Sequence, residues 1–143
     1  EQALPYAREI ATKFGSHITL LRAIHTSQEA LRDVAAEPTA VTAPEVTTDV
    51  ARNLHESEAG AAREYLRRIA ETFDGSGLDV ETQMVEGDPE WVIENQAKEL
   101  RSSLIVMATH ARTGLGRLLH GSVADELVRS STVPVMLIRT SES

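Results

Sequence analysis

The residues with the clearest chemical capacity in this sequence are gathered in one run, Ala108-Thr109-His110-Ala111-Arg112-Thr113-Gly114-Leu115-Gly116-Arg117-Leu118-Leu119-His120. The run holds two arginines, two histidines and no acid, in a chain whose net charge is −8. A basic stretch in an acidic chain marks a spot that favours an anion. Gly121-Ser122 follow, then Val123, Ala124, Leu127 and Val128, spaced as one face of a helix. The first N–H groups of a helix lack internal partners and its dipole attracts negative charge, so a phosphorylated ligand fits this place. The same residues also read as a capping box, because Ser122 stands three residues before Asp125 and can close the helix start with no ligand at all.

Two phosphate motifs come close and fail. Gly116, four residues, Gly121 and Ser122 resemble a P-loop, but no lysine precedes the serine. Gly114 and Gly116 make a GxG without the third glycine of the dinucleotide fingerprint. The chain contains no GxSxG elbow, no HExxH pair and no HxE with a cysteine pair, so no catalytic residue is assigned. Its five histidines, His17, His25, His55, His110 and His120, follow no ligand spacing, and no metal site is assigned. His110 and His120 share the basic loop and are placed to meet a phosphate, whereas His17 suits a strand start and His55 a helix face. Trp91 lies beside a helical stripe, where core or subunit packing suits it better than ligand stacking.

These residues must be positioned by the elements around them. Ala3, Ala7, Ile10, Ala11 and Phe14 form one helical stripe, with Gly15 in the place of a C-terminal cap and Pro5 acceptable only in a first turn. His17 to Ile24 reads as a largely buried strand. From about Thr26 to Asp49 the pattern dissolves into Glu, Ala, Thr and Val with Pro38 and Pro44, which predicts a long mobile loop with room for one helical turn near Glu29–Val34. A long amphipathic helix follows from Ala51 to Phe73, stopped by Gly75-Ser76-Gly77.

Leu78 to Val85 alternates as a half-exposed or edge strand. Asp88-Pro89-Glu90 supplies an N-cap, a first-position proline and a first-turn acid for a helix carrying Val92, Ile93, Ala97 and Leu100. Ser103 to Ala108 is a buried strand, and Val133 to Ile138 a last strand with Pro134 near its start or on an edge. Strands alternating with helices predict parallel pairing in an α/β layered domain. The opening helix has no strand before it to cross over from, so a strand is expected ahead of Glu1.

The 143 residues fit one domain, and 41% hydrophobic residues with 8 glycines fall in the ordinary globular range. No uncharged apolar run reaches the roughly 20 residues of a bilayer-spanning helix, and no basic, apolar leader opens the chain. The absence of cysteine excludes disulfides and thiolate metal sites and is compatible with the cytoplasm. With 22 acidic residues against 14 basic ones, non-specific binding to nucleic acid is disfavoured. Neither nucleic acid nor membrane is an expected partner.

The segment Val106 to Gly114, continuing through Leu118-Leu119-His120-Gly121-Ser122-Val123-Ala124 and then Val133-Pro134-Val135-Met136-Leu137-Ile138-Arg139, resembles the universal stress protein family. Ala3 to Ala7, Leu20 to Ile24 and Val85-Glu86-Gly87-Asp88-Pro89 extend the likeness over nearly the whole chain. The resemblance implies a flavodoxin-like, Rossmann-like three-layer sandwich with a five-stranded parallel sheet, of which the first strand, ending in a Pro-x-Asp turn, is absent from this sequence. It also implies a homodimer formed through the last strand, Val133, Pro134, Val135, Met136, Leu137 and Ile138.

Some members of that family bind ATP through a signature of G, two residues, G, nine residues, G and then S or T. Its positions here are Ala108, Ala111, Gly121 and Ser122, so two of three glycines are alanine. The implied nucleotide site comprises Ala23 near the base or ribose, Met107, Ala108, His110 and Ala111, Arg112 and Arg117 against charge, and Gly121, Ser122 and Val123 at the phosphate. A methyl group hinders a backbone that must take positive φ or approach a ligand closely, and two lost contacts cost about a hundredfold in affinity. The expectation is a dimeric stress-response module or switch that takes ATP, with Mg only alongside it. The alternatives are a dimeric interaction protein that binds no nucleotide, and a weak ATPase.

Overall fold

In a computed structural model of the chain, the structure describes residues 1–26, 28, 44–110 and 123–140; of 44–47, 109, 110 and 140 only the backbone is described. The elements in chain order are α1 (Leu4–Phe14), β1 (Ile18–Ile24), α2 (Pro44–Glu71), β2 (Val80–Glu86), α3 (Pro89–Glu99), β3 (Ile105–His110), α4 (Val123–Ser130) and β4 (Val135–Thr140). The alternation is the α/β pattern expected from the sequence. The strands form two two-stranded sheets, β1 with β2 and β3 with β4, within two compact units, residues 19–88 and residues 1–18 with 89–143. No helix among the described residues is long and apolar enough to cross a membrane.

In the unit of residues 19–88, α2 packs on β2 through small side chains. Ile24, Ala59 and Ala62 are 2%, 6% and 2% exposed and form one cluster with Met84 of β2 against it. Alanine at positions 51, 59 and 62 brings the helix close to the sheet, and Leu66, Ile69 and Phe73 extend the buried stripe. The outer face carries charge: Arg67 bridges Glu64 and Glu71 at helical spacing, and such exposed pairs add a few tenths of a kcal/mol each. Arg22 of β1 lies over the ring of Tyr65, 5.3 Å from its centroid, so its charge stays at the surface while its stem covers apolar area.

In the other unit, α1 starts with a proline in its first turn and stops at Gly15, whose φ of 63° closes the helix with an N–H donated to the Ala11 carbonyl. That left-handed conformation is nearly free for glycine and costs other residues about 1 kcal/mol. β3 and β4 run parallel, with Ile105 opposite Val135, Met107 opposite Leu137 and Ala108 opposite Ile138. α4 packs on α3 and against both strands. Val92 and Leu127, each 1% exposed, are the largest fully buried side chains.

Several expectations are corrected. The stretch 44–49, read as loop, belongs to α2, because Pro44 sits in the first turn, where its missing N–H costs nothing. β3 begins at Ile105 and takes in Thr109 and His110, which had been given to the loop, by pairing with Arg139 and Thr140. β4 begins at Val135, so Val133 and Pro134 precede it; the Pro134 carbonyl still accepts the Ile105 N–H at 2.9 Å. Phe14 is 78% exposed and only Ala11 of its stripe is buried. Trp91 is 62% exposed, which removes it from the core. The helical turn expected near residues 29–34 lies outside the described residues.

Candidate functional site

Of the residues expected to hold a nucleotide, Met107 and Ala108 stand half-buried on β3, His110 is the last residue of that strand and Val123 is the half-buried first residue of α4. These four occupy the carboxyl end of β3 and the amino end of the next helix, where parallel α/β sheets carry their ligands. Ala23 lies half-buried in β1, in the other unit. Ala111, Arg112, Arg117, Gly121 and Ser122 lie outside the described residues, as do His120 and the capping box. The start of α4 carries Asp125 and Glu126 in its first turn, and their negative charge already answers the helix dipole.

A polar cluster that sequence reasoning missed lies at the carboxyl ends of the other two strands. His55, on the face of α2 toward the sheet, is 13% exposed by its side chain. Its Nδ1 lies 3.0 Å from the carbonyl oxygen of His25, the residue after β1, and its Nε2 lies 3.1 Å from Glu86, the last residue of β2. One helical turn further, Glu58 stands 3.4 Å from Nδ1 of His25. The Gly87 N–H donates to the Ile24 carbonyl at 2.9 Å, with Gly87 at φ 137°, a conformation that favours glycine. The available signal was positional: His25 and Glu86 directly terminate two strands.

A second missed cluster joins α3 to the α4–β4 turn. Glu94 accepts hydrogen bonds from the Ser131 hydroxyl at 2.5 Å, the Thr132 N–H at 3.1 Å and the Thr132 hydroxyl at 3.0 Å, with Lys98 at 2.9 Å. The Ser131 hydroxyl first, then Lys98 and the Thr132 N–H, hold the Glu94 carboxyl down to about 2. This carboxylate fills a nest of donors and ties the turn that leads into β4.

Among the described residues no group of three or more His, Asp or Glu side chains is placed to hold a metal ion. On the outward side, Leu137 of β4 is 36% exposed. β4 pairs with β3 alone among the described residues.

Comparison with known proteins gives the family. The sequence model described as "Universal stress protein family" matches residues 1–139. Universal stress protein YxiE of Bacillus subtilis is 30% identical over 138 residues, which cover 96% of this chain and 89% of that protein. Universal stress protein MJ0531 of Methanocaldococcus jannaschii is 34% identical over 77 residues, 54% of this chain and 45% of its own length. The fold is that of a universal stress protein solved in complex with cAMP, at a TM-score of 0.65 and 24% identity over 98% of this chain and 88% of the other. It is also that of an Arabidopsis thaliana family member solved with AMP bound, at a TM-score of 0.59 and 19% identity over 98% and 77%. The chain belongs to the universal stress protein family.

Proposed function

We propose that this protein is a stress-response module that binds an adenine nucleotide and works as a homodimer in the cytoplasm. One observation carries the reading: in the sequence, the basic, acid-free run from His110 to His120 and then Gly121-Ser122 stand between the carboxyl end of β3 and Val123, the first residue of α4. Two solved proteins of the same fold were obtained with cAMP and with AMP, which supports an adenine nucleotide as the ligand class. In this reading Ser122 and the Gly121 amide take the phosphate, Arg112 and Arg117 neutralise it, and Met107, Ala108, His110, Ala111 and Val123 line its path. Mg enters only with the triphosphate.

Ala108 and Ala111 stand where the binding signature has glycine, and they favour weak binding over tight. The same observation supports the second reading, a dimer that works through contacts alone. Its surface is the edge of β4, where Val135, Met136, Leu137 and Ile138 offer an apolar strand to a second copy, and Val133 and Pro134 lead into it. Titration of a fluorescent ATP analogue, displaced in turn by ATP, AMP, cAMP and GTP, separates the two. Displacement by adenine nucleotides and not by GTP is expected; no binding of the analogue at millimolar concentration removes the nucleotide.

A further inference from the structure

We propose that His55 is a proton-dependent tie, whose imidazole, held between the His25 carbonyl and the Glu86 carboxylate, fixes the carboxyl end of β1 to that of β2.

Both partners of the ring are acceptors. A backbone carbonyl has no proton to give, and an ionised carboxylate has none either. Nδ1 lies 3.0 Å from the carbonyl and Nε2 3.1 Å from the carboxylate. A neutral imidazole carries one N–H and one lone pair, so it satisfies one partner and turns a lone pair toward the other. The imidazolium carries two N–H groups and satisfies both at once. The His55 side chain is 13% exposed and that of Glu86 51%, so water reaches the carboxylate more readily than the ring. The clamp is therefore complete with the second proton and half-made without it.

What the clamp ties together gives it reach. His55 belongs to α2, His25 follows β1 and Glu86 ends β2, so one ring joins three elements at the end of the sheet that carries ligands in parallel α/β folds. Ala23 stands two residues before His25 and next to Ile24, whose carbonyl is held by the Gly87 N–H at 2.9 Å. Loosening His25 removes the tie next to that backbone bond at the end of β1. Glu86 of β2 faces the ring, and the pair of His25 with Glu58 of α2, 3.4 Å apart, lies beyond it.

Imidazole is the side chain that changes charge between about pH 5 and pH 8. The test is hydrogen exchange at residues 24–26 and 86–88 in the full-length protein, corrected for intrinsic rates, at about pH 5.5 and about pH 8.5. Wild-type protection is expected to fall about tenfold with rising pH, the weight of one hydrogen bond to a charged group. His55→Gln, whose amide donates from a single nitrogen at any pH and so does not span both acceptors as the two ring nitrogens do, is expected to show intermediate protection with no such dependence. His55→Leu is expected to lose protection at both values.

Flat wild-type protection, or the same pH dependence in His55→Gln, overturns the clamp. Protection that falls with rising pH in the wild type and stays level in His55→Gln sustains it.

Discussion

The Ser131 hydroxyl donates a 2.5 Å hydrogen bond to Glu94, joining the turn after α4 to a side chain of α3 that lies 37 residues earlier. Thr132 adds two more donors to the same carboxylate. Four donors around one carboxylate make this the strongest polar tie described in its unit, and it fixes the approach to β4.

Acid unfolding checks that tie. Glu94 is held down to about 2 from 4.5, so its contribution is fully present above about pH 4.5 and is lost as pH falls toward 2. Glu94→Gln is expected to lower stability at neutral pH by about 1–2 kcal/mol and to flatten the pH dependence between pH 4.5 and 2. Urea midpoints measured across that window decide the matter; an unchanged acid limb in the variant counts against the assignment.

Packing of α4 is the second point of leverage. Leu127 is 1% exposed, and α4 is what closes α3 over β3 and β4. Leu127→Ala is expected to cost about 2–5 kcal/mol, since a partly relaxed cavity adds to the lost transfer energy. Val128→Ala, one residue on and 55% exposed, is expected to change stability by less than about 0.5 kcal/mol. Equal losses in the two variants would contradict the burial described here.

Local signals made much of this architecture readable from the sequence, and tertiary contacts account for the rest. Gly15 as a helix stop and Pro89-Glu90 as a helix start need only their neighbours, and both stand where the pattern put them. Pro44 misled because proline interrupts a helix everywhere but its first turn, and here it occupies the first turn. Phe14 and Trp91 carry apolar side chains at helical spacing, yet whether such a face is covered depends on what the chain brings against it. His55 and Glu86 are 31 residues apart and Glu94 and Ser131 37, so neither cluster has a sequence spacing to read. The candidate nucleotide residues were legible only through their family likeness and the sign of their charges.

Restoring the signature glycines addresses the ligand directly. Ala108→Gly with Ala111→Gly is expected to tighten ATP binding by about tenfold to a hundredfold if the two methyl groups hold the backbone off the phosphate. Ser122→Ala is expected to weaken it by about tenfold. An affinity that neither change moves would take both the loop and the helix start out of the site.

The edge of β4 is tested by charge. Leu137→Glu places an acid on the half-exposed position of that strand in an already acidic chain, and sedimentation is expected to shift from dimer to monomer. A wild-type protein that sediments as a monomer at micromolar concentration would remove this surface as the subunit contact.

The central claim is that an adenine nucleotide occupies the end of β3. Isothermal titration calorimetry of the full-length protein with ATP and Mg measures it most directly. Saturable binding at one site per chain, reduced in Ser122→Ala, is the predicted result. No heat of binding up to millimolar ATP, from protein whose fold is verified, would contradict it.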